Sequence, residues 1–306
     1  IHGLLLIIKT TQQHNNKGIK NMAKIDIYQT VTNQIIAQLE NGTAPWHKSW
    51  VGGGLPLRST GQEYQGINIL LLSMQGRSNQ NWMTYKQAAS LGGQVKSGEK
   101  GTMVVFYKSL KIEDKVTNKE KMIPLIRHYN VFNVEQIDNL PAKFYATTTG
   151  PKNTEEKIAI AENYISATQA EIRHGGNRAF YSPSEDFIQS PNYDDFDDAV
   201  SYYGTMAHEL AHWTGHNTRL DRFFKNSDGT KDYAREELVA EICATYTMAK
   251  LGLENTPRPD HASYIASWLK VLKSDPKAIF KACSKAQEAC NFLWDLTEES
   301  VLELAA

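Results

Sequence analysis

The segment His208-Glu209-Leu210-Ala211-His212 constrains this chain more than any other feature of its sequence. Apolar neighbours recur around it at helical spacing and predict a mostly buried helix, which argues against two solvated histidines on a surface. Because residues four apart lie one above the other on a helix, His208 and His212 can reach one metal ion. Glu209 can then take a proton from a metal-bound water. This pattern predicts a zinc hydrolase.

A catalytic zinc site needs a third protein ligand. A histidine at position 218 would complete one common pattern, but the residue there is Thr218. Residues 233–244 predict a second helix, with Glu237 and Glu241 four apart on one face. We predict Glu237 as the ligand and Glu241 as an acceptor for the far N–H of a ligand histidine. The reverse assignment and ligation by Glu236 also fit, and a solvated acidic helix face is the alternative to a metal site.

Composition indicates a globular chain. The 306 residues, 41% of them hydrophobic, predict two domains, and no apolar run approaches the length of a membrane span, so we expect no membrane partner. Three cysteines are few for a chain of this length, and an odd number cannot all form disulfides, so they do not predict a disulfide framework and favour a reducing compartment. We expect residues 1–21 to be an upstream or disordered segment before Met22, in a cytoplasmic protein. The oligomeric state stays open.

The two halves of the chain differ in charge. Residues 1–150 carry 17 Lys and Arg against 9 Asp and Glu, whereas residues 151–306 carry 16 against 25. The balance reverses at a polar stretch over residues 146–153, which we interpret as a linker between domains 22–145 and 154–306. A basic half can face nucleic acid, and an acidic half cannot.

Periodicity and capping residues predict an α+β fold. In the N-terminal half we expect helices over residues 25–39 and 67–74, a short helix opened by a Thr84–Gln87 capping box, and strands over 102–108 and 126–132. In the C-terminal half we expect a helix over 155–174, short strands at 180–181 and 187–188, and then a mostly helical domain. An edge strand beside the His208 helix could align an extended peptide.

The basic N-terminal half also carries aromatic residues in or near its loops. Single-stranded nucleic acid is bound by basic grooves whose aromatic rings stack on bases. The candidates for such contacts are Trp46, Trp50, Arg58, Tyr64, Trp82, Lys86, Lys96 and Lys100. Buried tryptophans and solvated lysines explain the same residues equally well.

Several motifs together resemble the ArdC-type antirestriction proteins, over nearly all of the chain after Met22. In the N-terminal half they are Trp46-x-x-x-Trp50, Thr60-Gly61-x-x-Tyr64-x-Gly66-Ile67-Asn68, Trp82-x-Thr84-x-Lys86-Gln87-Ala88, Val95-Lys96-x-Gly98-Glu99-Lys100-Gly101 and Tyr129-Asn130-Val131-Phe132-Asn133. In the C-terminal half they are His208-Glu209-Leu210-x-His212-Trp213-Thr214-Gly215-His216, Tyr233-Ala234-Arg235-Glu236-Glu237-Leu238-Val239-Ala240-Glu241 and Tyr264-Ile265-x-Ser267-Trp268-Leu269.

The resemblance implies a single-stranded-DNA-binding domain followed by a zincin-like metallopeptidase domain, in a protein of a bacterial mobile element that protects DNA from restriction. It favours the DNA interpretation of the aromatic and basic residues and adds Asn68 to them. It also implies His208, His212 and Glu237 as ligands of Zn²⁺ or another divalent metal, with Glu209 catalytic and a protein of unknown identity as the substrate.

The peptidase interpretation also requires a group that stabilises the developing oxyanion, for which His261 and Tyr264 are candidates. Two alternatives remain. The protein could shield DNA by occupancy, with a structural or vestigial metal site. It could instead be a protease that acts on DNA-bound proteins only when DNA is present.

Overall fold

The computed structural model describes residues 26–47, 54–113, 120–146, 154–222, 229–253 and 261–305. Residues 1–21, Trp50, residues 114–119 of the charged hairpin tip that we expect over residues 113–120, and most of the expected linker lie outside these ranges. The helices are α1 (Ile27–Glu40), α2 (Ile67–Ser73), α3 (Tyr85–Ser90), α4 (Thr154–Ala167), α5 (Ala199–Trp213), α6 (Gly229–Leu251), α7 (His261–Ser274) and α8 (Ala278–Ala305). The strands are β1 (Leu57–Arg58), β2 (Asn81–Met83), β3 (Gln94–Val95), β4 (Thr102–Glu113), β5 (Glu120–Asn133), β6 (Ile137–Asp138), β7 (Glu171–His174), β8 (Phe180–Ser182) and β9 (Phe187–Ser190). This mixture of helices and sheets, with a mostly helical C-terminal half, confirms the α+β prediction.

Local capping signals fix the helices of the N-terminal half. The Asp26 side chain accepts a hydrogen bond from the Gln29 N–H at 3.1 Å and opens α1, and Gly42 follows its end with a φ of 74°. At α3, the predicted capping box forms between Thr84 and Gln87. These helices were predictable because their start and stop signals are local.

A four-stranded sheet in the order β1-β2-β5-β4 forms the centre of the N-terminal half. All of β4 pairs antiparallel with residues 120–131 of β5, well beyond the predicted 102–108 and 126–132. The sequence continues to alternate past residue 108, because Leu110 and Ile112 stand between polar residues, so the predicted strand ended too early. The backbone ladder satisfies the hydrogen bonds of both strands as far as Glu113 and Glu120.

The prediction of one helix over residues 155–174 is wrong. Helix α4 ends at Ala167, Gln169 takes a left-handed conformation with φ of 52°, and β7 then pairs parallel with β9. Strand β8 pairs with the other side of β9, which confirms the two short strands predicted there. After Gln169, pairing with β9 overrides the local pattern that predicted a helix through residue 174.

One continuous hydrophobic core joins the two halves. Helix α6 lies at its centre and packs against α5, α7, α8 and a short 3₁₀ turn at Pro45–His47. The Trp46 and Trp268 rings meet edge to face with centroids 5.2 Å apart, and the Tyr246 hydroxyl donates to the Gly66 carbonyl at 2.8 Å. Within the described ranges, no helix has both the length and the apolar character needed to cross a bilayer.

Candidate metal centre and nucleic-acid cleft

Two packed helices bring the predicted metal ligands together. The Asp198 side chain accepts a 2.7 Å hydrogen bond from the Ser201 N–H and fixes the start of α5, which carries His208 and His212 on successive turns. Helix α6 packs beside α5 and carries Glu237. Each of these side chains is buried or nearly so, because both helices contribute to the core.

The donor atoms of His208, His212 and Glu237 converge on one point. The two Nε2 atoms lie 3.1 Å apart, and the Glu237 carboxylate oxygens lie 3.6 Å from His208 Nε2 and 3.4 Å from His212 Nε2. A tetrahedron with metal–ligand bonds of about 2.0–2.1 Å has edges of about 3.3–3.4 Å. The residues present therefore fit a small divalent cation held by two imidazole nitrogens and one carboxylate.

A carboxylate stands behind each imidazole. His208 Nδ1 lies 3.0 Å from a Glu241 oxygen, and His212 Nδ1 lies 3.3 Å from a Glu236 oxygen. When each Nδ1 donates its proton to that carboxylate, each Nε2 lone pair is directed at the shared point. Helix α6 thus places Glu237 on the shared side of the rings, and Glu236 and Glu241 behind them.

Arg222 continues this network away from the metal centre. Its guanidinium makes a two-pronged contact with Glu236, at 2.8 and 3.0 Å, and donates to Thr214 Oγ1 at 2.9 Å. Sequence reasoning missed Arg222 and the orienting role of Glu236. No local pattern marks Arg222, since it follows α5 in a loop and meets Glu236 only through the fold.

The charges of the centre are strongly coupled. Burial disfavours protonation of His212, but its contacts with Glu236 and Glu237 outweigh burial and raise its pKa to about 10. Burial also disfavours ionisation of Glu237, yet its contacts with His208 and His212 lower its pKa well below the usual range. In both cases proximity overcomes desolvation, and the carboxylate is ionised and ready to bind a cation.

Glu209 and two tyrosine hydroxyls are further reactive groups on α5, α6 and α7. Glu209 is buried in α5 between the two histidines, with 3% of its surface exposed. The Tyr233 hydroxyl lies 3.0 Å from the Tyr264 hydroxyl and interacts with the Glu237 carboxylate one helical turn away. Burial, and then contacts with Tyr264 and Glu237, raise the pKa of Tyr233, so this hydroxyl keeps its proton. The side chain of His261 lies outside the described residues.

Part of the predicted nucleic-acid set lines one cleft of about 530 Å³. Arg58 and Lys86 stand at this cleft, and the buried rings of Tyr64 and Trp82 contribute to its wall. The Arg58 guanidinium lies 5.3 Å from the centroid of the Tyr64 ring. The remaining lining residues are Ser59, Thr60, Gln62, Thr84, Gln87, Ser90 and Tyr129. Hydroxyls, amides, aromatic rings and two cations therefore share one concave surface.

Two of the predicted nucleic-acid residues are structural. Trp46 is 1% exposed and packs on Trp268, so its ring is not available to stack on a base. The Asn68 amide binds the backbone of Val105 in both directions, at 2.7 and 2.8 Å, and fastens α2 to β4. Their motif positions reflect packing between elements, which a sequence pattern does not distinguish from ligand binding.

The remaining members of the set lie apart from the cleft. The Lys96 ammonium donates to the Glu135 carbonyl at 2.8 Å and lies 3.8 Å from Asp138. Lys100 is exposed on the loop before β4. Trp50 lies outside the described residues. Tyr129 is a cleft residue that the prediction left out, although its motif was among those that carried the family resemblance.

Comparison with known proteins identifies the family. A family model for the N-terminal domain of anti-restriction factor ArdC matches residues 25–132, and one for a zincin-like metallopeptidase matches residues 159–285. The metal-free crystal structure of the antirestriction ArdC protein from the R388 plasmid superposes with a TM-score of 0.78. It is 43% identical, and the alignment covers 90% of this chain and 99% of that one. The chain belongs to the ArdC antirestriction family.

Other relatives place this family member in a wider group. The Mn(II)-bound structure of the same R388 protein has a TM-score of 0.75 and 42% identity, and the alignment covers 89% of this chain and 98% of that one. Two Escherichia coli proteins called DNA primase TraC are each 38% identical over 92% of this chain, which spans 20% and 28% of their lengths. The uncharacterized protein y4eC of Sinorhizobium fredii (strain NBRC 101917 / NGR234) is 38% identical over 88% of this chain and 91% of its own length.

Proposed function

We propose that this ArdC family member binds single-stranded DNA at its N-terminal cleft and cleaves a protein at a metal centre formed by His208, His212 and Glu237. The observation that carries the peptidase part is the convergence of these three donors from two packed helices, the first of which also carries the buried Glu209. The Mn(II)-bound form of the R388 relative supports a divalent cation, and we propose Zn²⁺ as the first choice because two imidazoles and one carboxylate suit it.

The chain's own residues supply the remaining chemistry. A divalent cation bound here would act as a Lewis acid and lower the pKa of a bound water. Glu209 accepts a proton from the attacking water and returns it to the leaving amine. Tyr233 and Tyr264 offer hydroxyl donors to the carbonyl oxygen as it gains charge. Strand β8, at the edge of its sheet and in contact with α5, offers backbone groups to align an extended peptide.

The N-terminal part of the proposal depends on the chemistry of the cleft. Single-stranded DNA presents phosphates, which Arg58 and Lys86 attract, and unpaired bases, which fit among aromatic and amide side chains. The cleft offers these partners on the half of the chain with excess positive charge. The same features would serve the alternative in which the protein shields DNA by occupancy.

The substitution Glu209→Gln separates the two functions. It removes the proton acceptor and keeps the shape of the side chain, so we expect metal content and DNA affinity to stay while proteolysis falls by at least about 100-fold. The assay follows cleavage of a dye-labelled unfolded protein by the zinc-loaded full chain, with and without a single-stranded oligonucleotide. Cleavage that requires the oligonucleotide would favour the DNA-dependent protease.

Protection of DNA from a restriction enzyme is measured beside that assay. If wild-type protein and Glu209→Gln protect equally and neither cleaves protein, occupancy is the function and the peptidase proposal is wrong. The DNA part is tested by Arg58→Ala with Lys86→Ala, which should weaken oligonucleotide binding and flatten its salt dependence. An unchanged affinity in this double variant would exclude the cleft.

A further inference from the structure

The outer part of the β4–β5 hairpin exposes large aromatic side chains. Phe106, Tyr107 and Tyr129 are 45%, 59% and 41% exposed, on strands that also carry the buried side chains of Val104 and Val131. An exposed phenyl ring on a regular strand contributes little to the core. Several together in a basic half of a chain indicate a surface that binds a partner.

The register of the hairpin sorts these side chains onto two faces. Tyr129 and Arg127 are two residues apart on β5 and share a face, and Phe106 lies directly opposite Arg127 on β4. Lys108 follows Phe106 on the same face, whereas Tyr107 points to the other. We call Phe106, Lys108, Arg127 and Tyr129 the hairpin strip.

The hairpin strip continues the cleft. Tyr129 belongs to both, since it lines the cleft with Arg58 and Lys86 and begins the exposed face of β5. Beyond it come the Phe106–Arg127 pair and then Lys108, at the regular spacing of strand residues. Two aromatic rings and two cations thus share one face of the hairpin, which begins at the cleft.

The cations of the strip are available to a ligand. Arg127 and Lys108 are exposed, and neither forms an ion pair with a carboxylate among the residues that the structure describes. In contrast, Arg77 on the same half of the chain lies between Glu99 and Glu135. These cations lack carboxylate partners and lie beside exposed rings. Such a surface suits a polyanion that also carries planar groups able to stack on the rings.

We propose that single-stranded DNA leaves the cleft along the hairpin strip, with bases stacked on Tyr129 and Phe106 and phosphates beside Arg127 and Lys108. This inference rests on the proposed DNA binding at the cleft and extends it to a second, named surface. Duplex DNA keeps its bases stacked internally and would use only the cations. An acidic peptide would likewise leave the rings without flat partners.

The experiment compares two oligonucleotide lengths on the full chain. Fluorescence anisotropy measures the affinity of labelled oligothymidylates of about 5 and about 15 nucleotides, lengths within the range that single-strand binding sites occupy. The short one fills the cleft, and the long one also reaches the strip. Phe106→Ala and Arg127→Ala should weaken binding of the long one by about 5- to 100-fold and leave the short one unchanged.

Matched variants separate stacking, charge and folding effects. Tyr107→Ala removes a more exposed ring from the opposite face of the same hairpin and should bind both lengths like wild type. Phe106→Trp keeps a ring and should restore long-oligonucleotide affinity. Arg127→Ala should lower the slope of log affinity against log salt by about 0.7, which is the contribution of one phosphate contact to a single strand, and Phe106→Ala should not.

The outcomes separate the inference from the function on which it rests. If wild-type protein binds neither oligonucleotide, the proposed DNA function fails. If it binds both while Phe106→Ala and Arg127→Ala match wild type at each length, the cleft stands and the hairpin strip is wrong. A loss with Tyr107→Ala equal to that with Phe106→Ala would also overturn the strip, because the effect would not follow the face.

Discussion

At the residue scale, the candidate metal centre has two sets of side chains. His208, His212 and Glu237 face a shared point, while Glu236 and Glu241 face the opposite sides of the imidazoles. The histidine pair was predictable because helical spacing puts residues four apart on one face. The spacing left the choice among Glu236, Glu237 and Glu241 open, since the rotation of α6 against α5 depends on packing that no local pattern records.

The two sets of side chains predict different losses of metal affinity. Glu237→Gln replaces a charged ligand oxygen by a weak neutral one and should lower Zn²⁺ affinity by more than about 100-fold. Glu241→Gln and Glu236→Gln keep all three donors and should lower it by about 10- to 100-fold, as loss of an orienting carboxylate does. Competition with a chromophoric chelator measures all three variants. If Glu241→Gln lost more affinity than Glu237→Gln, the ligand would be Glu241.

The buried ion pair between Arg222 and Glu236 predicts a stability effect. Arg222→Met leaves the Glu236 carboxylate buried with a weaker set of partners, and removal of one member of such a pair costs about 3–5 kcal/mol. Urea unfolding of the metal-free protein should show that loss. The double variant Arg222→Met with Glu236→Gln is the control and should recover part of it, because no uncompensated charge remains. Equal stability of wild type and Arg222→Met would contradict this account.

At the scale of elements, a surface ion pair ties the small sheet to the end of α5. Asp186, in the β8–β9 turn, pairs with Arg219, whose guanidinium lies 3.8 Å from the centroid of the Trp213 ring at the end of α5. The Tyr181 hydroxyl donates to the same carboxylate at 2.7 Å. The contacts of the β8–β9 turn therefore hold the edge strand β8 in place relative to α5, the helix that carries the histidines.

The contacts of the Asp186 carboxylate predict that its contribution to the stability of the fold depends on pH. The hydrogen bond from Arg219, followed by that from Tyr181, lowers the pKa of Asp186 despite partial burial. Because the folded pKa is below the unfolded one, the stabilisation is present above the unfolded pKa, about 3.9, and is lost as pH falls through the folded value. Asp186 is about a third exposed, so solvent screening limits the effect to less than about 1 kcal/mol.

The substitution Asp186→Asn measures how much the charge of Asp186 stabilises the fold. Asparagine tolerates the left-handed φ of 57° and removes only the charge. Urea unfolding should show the variant slightly less stable than wild type at pH 7, and the difference should shrink towards pH 3. A difference that grew on acidification would contradict the assigned sign.

Elements with local signals were the most predictable. The apolar stripe and the Asn41-Gly42 stop gave α1, the capping box gave α3, and the apolar stripe gave α5. Strand β7 was not predicted, because it exists through its parallel pairing with β9. The length of the β4–β5 hairpin was underestimated, because the predicted β4 ended at residue 108 although Leu110 and Ile112 continue the alternation of polar and apolar residues.

At the scale of the whole molecule, the halves that differ in charge share one core. Trp46 of the N-terminal half packs on Trp268, and the Gly54 N–H donates to the Ala249 carbonyl of α6 at 3.1 Å. An apolar stripe in a sequence predicts that a face is buried but not which surface buries it. The sequence therefore predicted two regions, but it did not predict that they share one hydrophobic core.

The shared core predicts the behaviour of Trp46 variants. Trp46→Ala leaves a cavity between the halves and should lower the free energy of unfolding by about 3–5 kcal/mol. Circular dichroism and the binding signal of a cleft-directed oligonucleotide should be lost in one coincident transition. Trp46→Phe should keep oligonucleotide affinity, because the ring lies outside the cleft. A selective loss of affinity in a stable Trp46→Phe protein would return Trp46 to the nucleic-acid surface.

Helix α6 carries a consequence for how such genes can change. Its acidic face holds the carboxylates of the metal centre, and its apolar faces pack against both halves of the chain. A hybrid gene that joined the N-terminal region of one relative to the C-terminal region of another would bring together packing surfaces that had evolved separately. We therefore expect recombination to pass both regions on together, so that each α6 keeps the N-terminal partner with which it evolved.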